Sequence, residues 1–258
     1  MPFTLSHAIL APPIAKLSGQ RLPVAALAIG CMTPDLFRLF TNASLTISHE
    51  WSGMIMPNLL VGLLFCAVWY VLYRPFIYRW LSLHDPLNLN TLDRTCGFLI
   101  GCVVSVLIGA ATHIIWDGFT HADFRTFVFQ DALSREISIL GYHTHVHMLM
   151  QIGTSVVTLP ILIWMCLHYF KQHQQTKLVS RLIQRFCWTA FIFSMLSGLY
   201  WVMGYAEPLS LDSWKAETYD HVGKSINYFF RGFLGSMALW SIVFLAWFGF
   251  STQPDSQS

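Results

Sequence analysis

Charged residues are scarce in this chain. Asp, Glu, Lys and Arg make up 11% of its 258 residues, whereas a soluble domain usually carries about 25%. This scarcity excludes an ordinary water-soluble enzyme and an intrinsically disordered chain, since both depend on a charged surface. The 15 basic and 13 acidic residues nearly cancel and form no long basic run, so we expect no nucleic acid among the partners.

Paired cysteines are missing as well. None of the six cysteines belongs to a Cys-x-x-Cys motif, and five of them lie within or beside apolar runs. Thiols in such runs behave as small apolar groups. The sequence therefore predicts neither a disulfide framework nor a thiolate metal site.

Long apolar runs are what the chain does contain, and hydrophobic residues make up 55% of it. A bilayer core of about 30 Å needs roughly 20 apolar residues in a helix. Five runs meet this requirement, near residues 55–73, 96–116, 148–170, 186–206 and 227–250. A further run, 22–32, is too short to cross, and we expect a non-spanning helix there. We predict an all-α polytopic membrane protein that forms a single membrane domain over residues 1–258.

Basic residues are concentrated in two of the predicted loops. Residues 74–95 hold three arginines, and residues 171–185 hold two lysines and two arginines without any acid. Positive residues near span ends favour the cytoplasmic side. Alternation then places the loops near 117–147 and 207–226 on the external side, and residues 1–54 form an N-terminal segment that caps the external mouth of the bundle.

Eleven histidines are an unusual number in so apolar a chain. The segment His113-Ile-Ile-Trp-Asp117-Gly-Phe-Thr-His121 ends the second apolar run. Helical residues four apart share a face, so His113 and Asp117 can bind one metal ion, with His121 a turn further on. Imidazole and carboxylate ligands together suit zinc, manganese or iron. The alternative is an interfacial or pore-lining histidine beside a helix-end carboxylate. An ionisable pair at membrane depth is costly and usually functional, which favours the metal site.

Three further candidates lie on the same side of the predicted membrane. Asp35 follows Pro34, where its carboxylate can equally cap the next helix. His49 comes just before the first span, and His7 lies in an apolar N-terminal segment. These positions become metal-ligand candidates because they accompany the histidines of the second span.

Two other features leave alternatives open. The alternate spacing of His143, His145 and His147 suits one side of a strand, whereas a helix would align His143 with His147. Either metal contact or a pH-sensing loop explains these histidines. Arg231 interrupts the fifth apolar run. Its side chain can extend to the membrane interface or point into the bundle, where a guanidinium clamps phosphate or carboxylate.

The motifs resemble those of a known family. The segments 2–8, 29–35, 48–49 and 113–121 look like an uncharacterised bacterial integral-membrane family, the domain of unknown function numbered 4184. That family is similar in its His and Asp motifs to the YdjM-type membrane-bound metal-dependent hydrolases, which in turn resemble zinc-dependent phospholipase C. The resemblance implies a bacterial inner (cytoplasmic) membrane and a divalent metal, with zinc expected first. The basic loops then place the site on the external (periplasmic) side.

The resemblance also implies which residues bind the metal or adjoin its ligands: His7, Asp35, His49, His113, Asp117 and His121. It further implies a Gln-His pair near the start of the third span. Here Gln151 is followed by Ile152, and His147, one helical turn earlier, is the candidate substitute. His147, Gln151 and Arg231 are therefore additional site candidates.

Two functions follow as hypotheses. The first is a membrane-embedded metal-dependent hydrolase, with membrane lipid as a partner and a phospholipid or other phosphoester as substrate. The alternative is a non-catalytic membrane protein whose His/Asp site is structural or carries metal ions or protons. A carrier needs ionisable groups along its spans; apart from Arg231 they stop at one end here, which favours a surface site. If the six candidates bind one ion, their side-chain tips should lie within about 3–5 Å of one another.

Overall fold

The computed structural model describes residues 4–41, 46–139, 141–176 and 178–249, without the side chain of residue 142. The predictions that concern Pro2, Phe3 and Phe250 lie outside these residues. Helices make up most of the described structure, and the two strands are short, which confirms the predicted all-α class.

Five helices of the described ranges are long and apolar enough to cross a membrane. We number them spans 1 to 5: Trp51–Trp80, Leu92–Thr120, Val146–His173, Arg181–Ala206 and Thr218–Phe248. They contain 26 to 31 residues, or about 39–47 Å at 1.5 Å per residue. This exceeds the roughly 30 Å of a hydrocarbon core. Most ends therefore lie beyond the apolar runs that predicted them, because the helices continue into the polar interface.

The remaining elements are short. Span 1 contains α-helical stretches at Leu60–Val68 and Arg74–Trp80, interrupted by wider π turns at Met54–Leu59 and Trp69–Tyr73. The others are α1 (Ala11–Leu17), α2 (Val24–Leu36), the short helices Gln130–Ser134 and Leu211–Ala216, the antiparallel strands β1 (Glu136–Ile139) and β2 (Tyr142–His145), and 3-10 turns at Thr4–Leu10, Phe37–Leu39, Ile47–His49 and Trp51–Gly53.

Helix α2 is the predicted non-spanning helix, with different ends. It has 13 residues, about 20 Å, so it is too short to cross a bilayer. It does not stop at Met32 but continues through Pro34 to Leu36, and Thr33 Oγ1 donates a 2.8 Å hydrogen bond to the Ile29 carbonyl. The expectation that Asp35 caps a following helix is therefore wrong, since Asp35 lies in the last turn of α2.

Close backbone contact holds α2 against span 2. A Cβ atom added at Gly30 would lie 2.7 Å from the Val106 carbonyl oxygen, and one added at Gly109 would lie 2.5 Å from the Cys31 nitrogen. Glycine allows this approach because it has no side chain, as in helix pairs packed in membranes. The contact places the end of α2 beside the final turns of span 2.

The described chain divides into two compact units. Unit 1 comprises the residues up to Cys66 together with Leu87–His168, and unit 2 comprises Ala67–Pro86 and the residues from Tyr169 onwards. In unit 2, spans 4 and 5 pack around Phe244, Cys187 and Ala190, all fully buried. All six predicted metal ligands belong to unit 1.

Candidate metal centre

Four separate segments of unit 1 supply the six predicted ligands. His7 comes from the N-terminal 3-10 turn, Asp35 from the end of α2, and His49 from the turn before span 1. His113 and Asp117 lie on the last turns of span 2, with His121 directly after it. Each of the six is at most 5% exposed. The structure thus brings together all six residues, and buries them.

Asp117 lies at the middle of this group. Its Oδ2 is 3.6 Å from His113 Nε2 and 3.7 Å from His49 Nε2. Its Oδ1 is 3.8 Å from His7 Nε2 and 3.5 Å from His121 Nδ1. The contacts with His113 and His121 are i,i+4 pairs on one helical face, as the spacing predicts. The carboxylate therefore faces four imidazoles.

These separations suit an ion better than direct hydrogen bonds. Nitrogen–oxygen hydrogen bonds measure about 2.7–3.2 Å, and the contacts of Asp117 with the Nε2 atoms of His7, His49 and His113 are 3.6–3.8 Å. Two ligand atoms that each lie about 2.1 Å from one tetrahedral ion are about 3.4 Å apart. The side-chain tips are thus spaced nearly as ligands of a shared ion are spaced.

Asp35 lies on the other side of His49. Its Oδ1 is 3.2 Å from His49 Nε2, and its Oδ2 accepts a 2.8 Å hydrogen bond from Thr4 Oγ1. His49 Nδ1 is 3.0 Å from Ser48 Oγ. With its proton on Nε2, His49 donates to Asp35; with its proton on Nδ1, it donates to Ser48 and directs a bare Nε2 towards Asp117.

Carbonyl groups orient two of the imidazoles. His113 Nδ1 is 2.7 Å from the Cys31 carbonyl oxygen, and His121 Nδ1 is 3.2 Å from the Asp117 carbonyl oxygen. A carbonyl only accepts, so each neutral ring carries its proton on Nδ1 and has a lone pair on Nε2. Such a bond to the far nitrogen is the usual support of a metal-ligating histidine.

Several buried polar atoms of the centre have no hydrogen-bond partner within the described residues: both ring nitrogens of His7, Nε2 of His113, Nε2 of His121 and Oδ1 of Asp117. A buried polar atom without a partner costs about 1–3 kcal/mol, so a group of them marks a candidate ligand-binding site. A divalent cation binds these donor types. The residues present therefore fit a metal ion.

Two sets of three residues meet the spacing for a metal: His7, Asp35 and His113, and His49, His113 and Asp117. In each set the ligand atoms lie within 4.8 Å of one another. His113 belongs to both sets, and its Nδ1 is already bonded to Cys31. Only Nε2 can bind, and one nitrogen binds one ion, so both sets describe the same centre.

Comparison with known proteins identifies the family. The model of the family described as Domain of unknown function (DUF4184) matches residues 1–245. The chain belongs to this family. No curated protein and no solved structure matches it. The match covers all of the candidate metal centre, although this family has no known activity.

In this DUF4184 protein, burial and neighbouring charges shift the pKa values of three candidate ligands that lie outside the spans, His7, Asp35 and His121. Burial, reinforced by the neighbouring His113 ring, lowers the pKa of His7 to about 3. Burial also lowers the pKa of His121 to about 4, although the Asp117 charge opposes it. For Asp35 burial acts in the upward direction, but the hydrogen bond with His49 and nearby positive charges hold the pKa well below its usual value. Neutral imidazoles and an ionised carboxylate are the forms that bind metal.

Arg125 is the residue of this site that the sequence analysis missed. Its Nη1 donates to Asp117 Oδ2 at 3.2 Å, its Nε donates to Asp123 Oδ1 at 2.9 Å, and its Nη2 also bonds Asp123. The side chain is 11% exposed. In this sparsely charged chain, the sequence Asp123-Phe-Arg125, just after the His113–His121 segment, was the available signal.

The three additional candidates make different contacts. Gln151 is buried and its Nε2 donates to the Thr120 carbonyl at 3.1 Å, so it supports the turn that carries His121. His147 Nδ1 is 3.1 Å from the Leu133 carbonyl oxygen. Arg231 belongs to unit 2, where its guanidinium lies over the Tyr228 ring at 4.8 Å. His147 is in neither of the two sets of three found among the described residues.

Of the two conformations that the histidine spacing allows, the structure has the strand for His143 and His145. His143 and His145 lie on β2, opposite Ser138 and Glu136 of β1. The exposed His143 ring pairs with Glu136 at 3.3 Å. His147 lies beyond the strand, in the first turn of span 3.

Proposed function

We propose that this protein is a membrane-embedded metal-dependent hydrolase that acts on phosphoesters, with one zinc ion held by the residues around Asp117. The observation that carries the proposal is that the Nε2 atoms of His7 and His113 are buried, have no hydrogen-bond partner among the described residues, and lie 3.8 and 3.6 Å from the buried Asp117 carboxylate. Zinc suits a site of nitrogen and oxygen donors without thiolates.

The reaction is the addition of water to phosphorus. The bond between phosphorus and the leaving oxygen breaks, one water proton passes to that oxygen to give an alcohol, and the hydroxyl group stays on the phosphate. Zinc supplies charge stabilisation and lowers the pKa of water to about 7 when it is bound. The protein orients His113 and His121 through their Nδ1 atoms and keeps the surroundings dry, since the six side chains are almost fully buried.

The test is the zinc content of the detergent-purified protein together with its phosphoesterase activity. We expect about one zinc per chain in the wild type and a loss of affinity of about 100-fold or more in Asp117→Asn. His143→Ala is the control, because His143 is exposed on the hairpin and pairs only with Glu136 among the described contacts. A wild type that binds no zinc after reconstitution would refute the proposal.

A structural metal site is the second candidate, and the deep burial of all six side chains favours it. Structural zinc sites are closed and stabilise the fold directly, whereas catalytic sites keep an open position. Zinc removal then lowers the melting temperature, and neither the loaded nor the stripped protein hydrolyses phosphoesters. Zinc-dependent turnover that Asp117→Asn abolishes supports the enzyme instead.

We further propose that the protein lies in a bacterial inner membrane with the metal centre on the external side. The basic loops 74–95 and 171–185 support this orientation. The test is labelling of single cysteines in intact cells, after the exposed Cys96 and Cys166 are replaced. Cysteine at Ser138 should react with an impermeant reagent, whereas cysteine at Leu89 or Thr176 should not. Labelling of Leu89 and Thr176 variants from opposite sides would contradict the arrangement of spans.

A further inference from the structure

The loop Ala122–Phe129 begins just after His121 and folds back onto the C-terminal end of span 2. Phe127 N donates to the Gly118 carbonyl at 3.1 Å, and Asp123 N donates to Thr126 Oγ1 at 3.1 Å. Thr126 Oγ1 in turn donates to the His121 carbonyl at 2.5 Å. These bonds tie the loop to the turn that carries His121, so its side chains have defined positions beside the metal centre.

Among the described contacts, Arg125 is the side chain of this loop that bonds a side chain of the centre, the Asp117 carboxylate. Asp123 holds Nε and Nη2 of the guanidinium, and Nη1 points at Asp117 Oδ2. Asp123 thus orients the group and occupies one of its edges. A guanidinium held in this way presents directed N–H donors to an anion, which is the geometry that phosphate recognition uses.

The loop is also apolar where it faces outwards. Phe124, Phe127, Val128 and Phe129 are all exposed, and the exposed Trp51 ring stacks on Phe127 at 6.3 Å between centroids. Exposed aromatic rings just beyond the end of a span lie where headgroups meet acyl chains. The surface formed by Trp51, Phe124, Phe127, Val128 and Phe129, which we call the aromatic rim, therefore borders Arg125 with lipid-compatible groups.

We propose that Arg125 binds the phosphate of a membrane phospholipid at the metal centre, and that the aromatic rim holds the adjoining apolar part of the same lipid. The inference rests on the proposed function and names its substrate class and a substrate-binding residue. In the structure Asp117 is shared between Arg125 and four imidazoles. A metal cation that binds Asp117 would compete with Arg125 for this carboxylate, so Nη1 of Arg125 could then donate to a phosphate instead. Asp123 would still hold the guanidinium in place.

The first experiment measures binding of inorganic phosphate to the zinc-loaded, detergent-purified full chain by calorimetry. We expect Arg125→Gln to lower phosphate affinity about 10- to 100-fold, as expected for loss of charge-assisted hydrogen bonds, and to leave zinc content near one per chain. Arg135→Gln is the matched control, because Arg135 is exposed in the same inter-span region. Unchanged phosphate affinity in Arg125→Gln would overturn the inference.

A second variant covers the case in which Arg125→Gln does not fold. Arg125→Lys keeps the positive charge but loses the planar fork that Asp123 orients. We expect it to retain zinc and to bind phosphate about 10-fold more weakly than the wild type. Affinity equal to that of the wild type would refute the oriented role of Arg125. If the wild type itself binds no zinc, the proposed function fails first, so the two failures are distinguishable.

The third experiment separates a lipid headgroup from free phosphate. Dihexanoyl phosphatidylglycerol carries the same phosphate with short acyl chains, and we expect the wild type to bind it more tightly than inorganic phosphate. Phe129→Ser should remove that advantage and leave the affinity for inorganic phosphate unchanged. Equal affinity of the wild type for both ligands would refute the lipid part and indicate a soluble phosphate compound.

Discussion

Replacement of Gly109 by alanine tests whether the α2–span 2 contact sets the geometry of the metal centre. The new Cβ would lie 2.5 Å from Cys31 N and 2.6 Å from the Leu27 carbonyl oxygen. These are backbone atoms, so no side-chain rotation relieves the clash. To reach the roughly 3.4 Å of ordinary contact, the two helices must separate locally by about 0.9 Å, and overpacking of this kind costs about 1–3 kcal/mol.

The separation should also affect the metal. Cys31 contributes the carbonyl that holds His113 Nδ1 at 2.7 Å, and Asp35 lies one turn further along α2. Metal sites tolerate ligand displacements of only about 0.2 Å. We therefore expect Gly109→Ala to lower the melting temperature and to weaken zinc binding about 10-fold or more.

Gly97→Ala is the matched control, on the same helix. A Cβ at Gly97 meets nothing within 4 Å, so alanine there should be neutral or stabilise by up to about 1 kcal/mol. The assays are thermal unfolding in detergent with and without zinc, and zinc affinity by competition with a chelating indicator. If Gly109→Ala is as stable as Gly97→Ala and binds zinc as tightly as the wild type, the packing argument is wrong.

Three further predictions follow from the same geometry. Gly118→Ala places a Cβ 2.2 Å from the Phe127 ring and should displace the loop Ala122–Phe129. Calorimetry should then show weaker binding of phosphate with little change in zinc affinity, and an equal loss of zinc affinity would contradict this prediction. Burial lowers the pKa of His7 to about 3 and that of His121 to about 4, so the unfolded chain binds more protons below its histidine pKa of about 6.5. The zinc-free protein should therefore lose stability as the pH falls from about 6.5 towards 4, whereas a melting temperature constant over this window would oppose the argument. Chelation of zinc should lower the melting temperature of the wild type and leave that of His113→Ala unchanged; an equal decrease in both would place the metal elsewhere.

Local rules explain what the sequence analysis predicted well. Each span can be predicted from its own segment, because a bilayer requires a minimum apolar length and no distant residue changes that requirement. The i,i+4 contacts of Asp117 with His113 and His121 are also local, since helix geometry alone brings those residues to one face. The end of α2 was predicted too early: proline usually interrupts helices, whereas Pro34 is buried inside this helix, which continues to Leu36.

The amino-acid sequence by itself determined the membrane class, the number of long apolar helices and the His113–Asp117 pair, because each depends on residues close together in the chain. Tertiary structure alone decided the positions of His7, Asp35 and His49 around that pair, since they depend on the contact of Gly30 and Gly109 between helices distant in sequence. The same holds for Arg125. Its role depends on the fold of a loop that hydrogen bonds and the Phe127 ring hold against span 2, and no periodicity or spacing in the sequence specifies such packing.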